Sequence, residues 1–200
     1  STVLKLSDDV TVSGNTAELG GGVCLSSGVS LETADSVAID GNFGDLGAGL
    51  FLLGSTATVG GASTIDGNNA NLTGGSTANN AAGGIYLTQT TAGDTSTVNL
   101  IDTASVSDND AVNETGGIII DKGGILNVSD SVTILGNGLA GGSSGIAVYP
   151  NSTLNVWDTP QIGASDTDNG VFLASGMSAT VPAGKDLLAG ALINFEGLED

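Results

Sequence analysis

Apolar and polar residues alternate in many short runs along this chain. In residues 10–13, 37–40 and 132–135, every second residue is Val or Ile, and the positions between are mostly small or polar. Alternation with a period of two predicts half-buried β-strands, and no window shows the longer period of an amphipathic helix. The pattern therefore predicts an all-β protein.

The alternating runs belong to a repeat that ends in Asn. The runs VTVSGN at 10–15, VAIDGN at 37–42, STIDGN at 63–68 and VTILGN at 132–137 share this ending, and SVSDN at 105–109 has Asp108 in the place of Gly. The five Asn residues are 27, 26, 41 and 28 positions apart. The spacing predicts repeats of roughly 27 residues, with one enlarged repeat.

Each repeat contains two further strand-like runs. One follows a small-residue turn, as GGVCL at 21–25, AGLFL at 48–52, GGIYL at 83–87, GGIII at 116–120, SGIAV at 144–148 and NGVFL at 169–173. The other comes next, as VSL at 29–31, ATV at 57–59, TVNL at 97–100, ILNV at 125–128, TLNV at 153–156 and ATV at 179–181. Three short strands are therefore predicted in each repeat.

Three strands in about 27 residues are typical of one coil of a right-handed, single-stranded parallel β-helix, a solenoid, whereas a propeller blade needs about 40 to 45 residues. About seven such coils fit residues 1–200, which we expect to form one segment taken from a longer protein. Residues near 69–82 and 88–96 lack alternation, so we predict loop insertions there that leave the strands in phase.

The recurring Gly and Asn residues suit the bends of such a coil. Gly adopts positive φ without steric penalty, and Asn also tolerates this region. Stacked Asn side chains can bond to one another as a ladder. We therefore predict a structural ladder made by one Asn from each coil, namely Asn15, Asn42, Asn68, Asn109 and Asn137.

Charge argues against nucleic acid as a partner, and the length of the apolar runs argues against a membrane span. The chain has 22 Asp and Glu residues, only Lys5, Lys122 and Lys185 as basic residues, and a net charge of -19. A nucleic-acid backbone requires clustered Lys and Arg, so nucleic acid is excluded as a partner. No apolar run is long enough to span a bilayer, so we expect no membrane insertion by this segment.

The Gly-Asn endings and the Gly-Gly turns resemble the repeats of polymorphic outer-membrane proteins and related autotransporter passenger domains, which carry GGAI-like and FxxN-like tetrapeptides. Residues 20–23, 83–86 and 116–119 match the first loosely, and Gly-Asn stands where the second would be, without its Phe. The resemblance spans residues 1 to about 176. It implies an extracellular, cell-surface or secreted location and a role in adhesion.

Some right-handed β-helices are pectin lyases and polygalacturonases, so an enzyme must be considered. The enzymes that this fold resembles use Arg, Lys or His in catalysis, but this chain has no Arg and no His, and its three Lys are scattered. We therefore predict that the segment is not catalytic. The alternative is a carbohydrate-binding or polysaccharide-degrading β-helix whose catalytic residues lie elsewhere.

Calcium is the one candidate cofactor. Two runs place several oxygen ligands on single turns, which suits a hard cation, and their acidic residues are Asp108, Asp110, Asp166 and Asp168. Neither run matches an EF-hand loop. Turn formation by Asp and Asn without a metal explains both runs equally and is the interpretation that we favour.

The middle residues of the apolar triplets should face away from the core. Phe51, Tyr86 and Phe172 occupy this position, so the strand either carries an exposed aromatic stripe or packs its rings beneath loops. Large exposed apolar patches usually mark interfaces. We therefore predict that these three residues bind a protein or glycan ligand, or a second copy of the chain, and that the whole segment is a structural and adhesive scaffold.

Overall fold

The computed structural model describes residues 2–70, 81–111, 115–138, 145–163 and 170–196. Within these ranges the chain forms short parallel strands and no helix. The chain passes in turn through three sheets, here named I, II and III. The predicted all-β parallel solenoid with three strands per coil is confirmed.

The strands of sheet I are the third run of each repeat, and those of sheet II are the runs before the Asn anchors. Sheet I contains Thr2–Leu6, Val29–Thr33, Thr56–Val59, Thr97–Leu100, Ile125–Val128, Thr153–Val156 and Ala179–Thr180. Sheet II contains Thr11–Ser13, Ala38–Asp40, Thr64–Asp66, Ser105–Ser107, Thr133–Leu135, Gln161–Ile162 and Leu192–Ile193.

Sheet III is formed by the apolar triplets. Its strands are Val23–Leu25, Leu50–Leu53, Ile85–Thr88, Ile118–Ile120, Ile146–Val148 and Val171–Leu173. The short strands Asn69–Ala70 and Asp110–Ala111 form a separate parallel pair. Because sheet III has six strands and the other two have seven, the described residues make about six turns. The prediction of about seven assumed that every repeat of the 200 residues has about 27 residues, whereas Asn68 and Asn109 are 41 apart.

The core consists of columns of like residues. In sheet II, Ile39, Ile65, Val106, Ile134 and Ile162 occupy equivalent positions in successive coils, and each is at most 1% exposed. Burying a side chain of this size contributes about 1.5 to 3 kcal/mol. Since every coil adds such residues from all three sheets, the apolar core continues through the stack.

Two kinds of Gly are needed at the bends. Gly41, Gly67 and Gly136, just before the anchor Asn residues, have φ of 59°, 59° and 65°, and Asp108 takes this conformation at φ 51°. Gly84, before a sheet III strand, is required for a different reason. A Cβ atom there would lie 2.7 Å from the carbonyl oxygen of Gly117 in the next coil.

The enlarged repeat keeps the sheets in register. Asn68 and Asn109 lie in adjacent coils although they are 41 residues apart. The predicted insertion near 69–82 begins with the short strand Asn69–Ala70, and its residues 71–80 lie outside the described part of the chain. Thr88 still belongs to sheet III, and the loop after it closes through hydrogen bonds between Thr90 and Asp94.

Candidate functional site

The five anchor Asn residues form a continuous hydrogen-bonded ladder. The side-chain Nδ2 atoms of Asn15, Asn42, Asn68 and Asn109 each donate to Oδ1 of the next Asn in the stack, over 2.9 to 3.0 Å. That Oδ1 also accepts the backbone N–H of the same donor residue. Four of the five also donate from Nδ2 to a sheet II carbonyl of the preceding coil at 2.9 Å, namely Asn42, Asn68, Asn109 and Asn137. The hydrogen bonds of these side chains therefore serve to hold neighbouring coils together.

A second Asn column lies on the outer face of sheet I. Asn155 donates to Asn127, and Asn127 donates to Asn99, both over 2.8 Å between Nδ2 and Oδ1. Asn99 in turn lies 3.3 Å from the Thr58 hydroxyl. Sequence reasoning missed this column, although the shared third residue of the runs TVNL, ILNV and TLNV was its signal.

An Asp column marks the bend between sheets I and II. Asp8, Asp35, Asp102, Asp130 and Asp158 all have φ between 53° and 64°. Carboxylates of this column accept backbone N–H groups of the preceding coil, as Asp130 does from Asp102 at 3.1 Å and Asp158 does from Asp130 at 3.3 Å. Gly61 occupies the third position and donates to Asp102 at 2.9 Å. The pattern agrees with the turn-forming role of Asp.

The calcium candidates do not assemble into a metal site in the described ranges. Asp108 lies in a bend, and Asp110 lies in a short strand beside Asn69, where one side-chain oxygen of each residue is buried without a hydrogen-bond partner. Calcium takes six to eight oxygen ligands, and the described residues contain no group of three His, Cys, Asp or Glu side chains that could hold a metal ion. Asp166 and Asp168 lie outside the described residues. Calcium binding stays a prediction.

The outward row of sheet III is covered over much of its length. Phe51 is 5% exposed and Tyr86 is 6% exposed, and their rings stack with centroids 5.8 Å apart. The partly buried Leu46 and Leu53 pack against them. Of the two alternatives, an exposed stripe and rings packed beneath neighbouring segments, these two residues follow the second. Apolar side chains that face away from the core still leave water where neighbours can cover them.

The two ends of the row are more accessible than its middle. Phe172 is half-buried, and its ring lies 6.4 Å from that of Tyr149 at a tilt of 58°. Cys24 is exposed on the same face. Partial burial nevertheless raises the pKa of its thiol, which lowers the fraction of reactive thiolate.

A cavity of about 350 Å³ opens over the covered aromatic pair. Its walls come from three places in the chain: the bend before one sheet III strand, the insertion after the next strand, and the turn after the third. The lining includes Leu46, Phe51, Tyr86, Gln89, Thr90 and Asp121. The cavity thus combines an aromatic floor with amide, hydroxyl and carboxylate groups.

A tight turn positions the carboxylate of this cavity. The N–H of Gly124 donates to the carbonyl of Asp121 at 3.0 Å, and the central residues Lys122 and Gly123 have φ of 33° and 77°. Positive φ at both central residues is the mark of a type I′ turn. The turn directs Asp121 towards Tyr86, whose hydroxyl donates to Asp121 Oδ2 at 3.0 Å.

Burial and the neighbouring Asp121 raise the pKa of Tyr86 well above its ordinary value. Burial is the larger cause, because it disfavours the charged phenolate. The nearby carboxylate adds repulsion and accepts a hydrogen bond from the neutral form. Tyr86 therefore stays protonated at neutral pH and acts as a hydrogen-bond donor.

A second groove lies on the outer face of sheet I and has different chemistry. It encloses about 390 Å³ and is lined by Ser30, Glu32, Thr56, Thr58 and Thr95, with no aromatic residue. Hydroxyl groups are thus present in both cavities, whereas the aromatic floor belongs only to the first of the two.

Comparisons with protein-family models, with curated proteins and with solved structures find no match for this chain. They give no support to the resemblance to polymorphic outer-membrane proteins and autotransporter passengers, which stays a prediction. Among the described residues, no helix is long and apolar enough to cross a membrane. What can be stated from the structure is the fold, a parallel β-solenoid.

Proposed function

We propose that this chain is a non-catalytic scaffold segment of an extracellular surface protein, where it supports adhesion or self-association. The observation that carries the proposal is the Asn ladder, which joins five coils through four side-chain hydrogen bonds, three of them buried. A ladder of this kind fixes the stacking of coils and leaves its residues no chemical role beyond structure.

The distribution of reactive groups supports a scaffold over an enzyme. The chain lacks His and Arg, which limits general acid–base catalysis at neutral pH and the clamping of acidic substrates. Five of its acidic residues form the Asp column, where the carboxylates of Asp130 and Asp158 accept backbone N–H groups of the preceding coil. The resemblance to autotransporter passenger repeats adds the expectation of a cell-surface setting.

The loops between sheets II and III favour a role in contact with other molecules. An insertion enlarges this edge in one coil, since Leu50 and Ile85 are paired across 35 residues, whereas Ile118 and Ile146 are 28 apart. Variable loops on a rigid scaffold are common sites of recognition. Loops at this edge would make the adhesive contacts, while the stacked coils beneath them hold the loops in place.

The proposal is tested with beads coated with the purified chain. Beads coated with an unrelated protein of similar net charge serve as the control, because they reproduce the electrostatic repulsion. We expect the coated beads to attach to cells or to one another above the control level, and the chain to release no reducing ends from pectin or neutral polysaccharides. The proposal would be contradicted by attachment at the control level, or by a polysaccharide-cleaving activity that co-purifies with the folded chain.

A further inference from the structure

We propose that the cavity between Phe51, Tyr86, Gln89 and Asp121 is a binding site for a neutral hexose. The cavity is separate from the structural ladders, so this inference goes beyond the scaffold role and does not depend on it. Its volume of about 350 Å³ is near the lower end of the range of about 300 to 1,000 Å³ for small-molecule sites. The size favours one or two sugar rings over a large ligand.

The floor of the cavity suits the apolar face of a sugar ring. The rings of Phe51 and Tyr86 are nearly parallel, with an angle of 16° between their planes. Tyr86 is further held by its hydrogen bond to Asp121. The small exposed part of each residue, 5% for Phe51 and 6% for Tyr86, borders the cavity and gives its floor a fixed apolar patch. Such a patch can pack against C–H groups of a pyranose without losing rotamer freedom on binding.

The polar wall offers complementary partners for sugar hydroxyls. Asp121 is 8% exposed, and the Tyr86 hydroxyl uses only part of the acceptor capacity of its carboxylate. Gln89 can both donate and accept, and the Thr90 side chain lines the same space. A hexose presents hydroxyl groups that also donate and accept, so all three side chains can be satisfied together.

Other ligand classes fit less well. A phosphate or an acidic sugar would meet Asp121 and a net charge of -19, with Lys122 as the only cation in the lining. An extended peptide would need an open sheet edge, but the strands that carry Phe51 and Tyr86 are paired on both sides. A purely apolar ligand would exclude water from the Asp121 carboxylate without using the acceptor capacity that the Tyr86 hydroxyl leaves.

The site is tested by titrating the ¹⁵N-labelled chain with sugars and following the amide resonances by NMR. The probes are glucose, galactose, mannose and N-acetylglucosamine, with glucuronic acid as the acidic comparison. We expect saturable shifts at residues 88–91 and 121–124 for at least one neutral sugar, and weaker binding of glucuronic acid. Gln89→Ala should weaken binding about three- to tenfold, because it removes one or two hydrogen bonds.

Two further variants distinguish a specific site from general surface binding. Thr56→Ala removes a hydroxyl from the groove on sheet I and should change the affinity less than twofold. Phe51→Leu keeps an apolar side chain at the floor and should abolish the saturable shifts while the remaining spectrum is retained. No saturable shift with any neutral sugar, shifts confined to other parts of the chain, or tighter binding of glucuronic acid would overturn the proposal.

Discussion

The replacement of Asn68 by Ala tests the Asn ladder where it is most deeply buried. The side chain of Asn68 is 0% exposed and makes four hydrogen bonds of 2.9 to 3.0 Å. Its Oδ1 accepts the backbone N–H and the side-chain Nδ2 of Asn42, while its Nδ2 donates to the Ile39 carbonyl and to Asn109 Oδ1. The substitution therefore affects three other residues.

The cost follows from the donors that lose their partner. Two buried N–H donors of Asn42 would be left unsatisfied, and each costs about 1 to 3 kcal/mol. We therefore expect Asn68→Ala to lower the free energy of unfolding by about 2 to 6 kcal/mol. The matched control is Asn15→Ala at the exposed end of the ladder, which orphans no buried donor and should cost less than about 1 kcal/mol.

Asn68→Asp probes the same position with almost no change of shape. Its second carboxyl oxygen would face the Ile39 carbonyl and Asn109 Oδ1, which are both acceptors. Burial among acceptors raises the pKa of the new carboxyl in the folded state. The folded state then holds its proton more tightly than the unfolded state, so the destabilisation relative to wild type should be smaller at pH 4 than at pH 7.

Urea unfolding followed by circular dichroism measures all three variants against wild type at both pH values. The expected order of destabilisation at pH 7 has both Asn68 variants well above Asn15→Ala. If Asn68→Ala cost no more than Asn15→Ala, the ladder would contribute nothing specific to the stability of the stack, and the reasoning from buried donors would be refuted.

Three further predictions concern the bends and the cavity. Because the pKa of Tyr86 is raised in the folded state, this residue contributes stability that is present below about pH 10 and is lost as the pH rises towards that pKa. Tyr86→Phe should therefore flatten the fall in the free energy of unfolding between pH 9 and pH 11, and an unchanged slope would contradict this. Gly84→Ala should lower the free energy of unfolding by about 3 kcal/mol or more, because the added Cβ forces neighbouring coils apart. Gly14→Ala, where nothing lies within 4 Å of the added Cβ, should cost only about 1 to 2 kcal/mol, and equal urea midpoints for the two variants would disprove the close approach at Gly84. Asp130→Asn keeps the hydrogen-bond acceptor but removes one charge from the Asp column, so it should raise the melting temperature at 10 mM salt and change it less at 500 mM salt. A gain in melting temperature that does not depend on salt would rule out charge repulsion as its cause.

The repeat made the solenoid predictable from sequence. Asn15, Asn42 and Asn68 recur at an almost constant spacing, and a constant spacing in a stacked fold means direct contact between neighbours. The Asn99 column and the Asp column were equally visible in the sequence. Alternation and turn propensity describe each residue within its own strand or bend, so they do not predict contacts between equivalent residues of different coils.

The cavity could not be predicted in this way. Its lining joins Leu46, the insertion around Gln89 and the turn at Asp121, which belong to successive coils and interrupt the repeat. The burial of Phe51 and Tyr86 depends on the same irregular segments. Periodicity correctly separates the two faces of a strand, but it does not determine whether a loop covers the outer face.

Deletion of one coil tests most directly whether the chain is a modular stack. Asn99 and Asn127 are in contact and 28 residues apart, so removing residues 100–127 joins equivalent points of adjacent coils. Removing residues 100–113 instead eliminates the sheet II strand Ser105–Ser107 and Asn109, and brings the following strands out of phase. In urea unfolding followed by circular dichroism, we expect the 28-residue deletion to retain a β-type spectrum and one cooperative transition, and the 14-residue deletion to lose both. Loss of the folded state in the 28-residue deletion, or equal behaviour of the two deletions, would contradict the account.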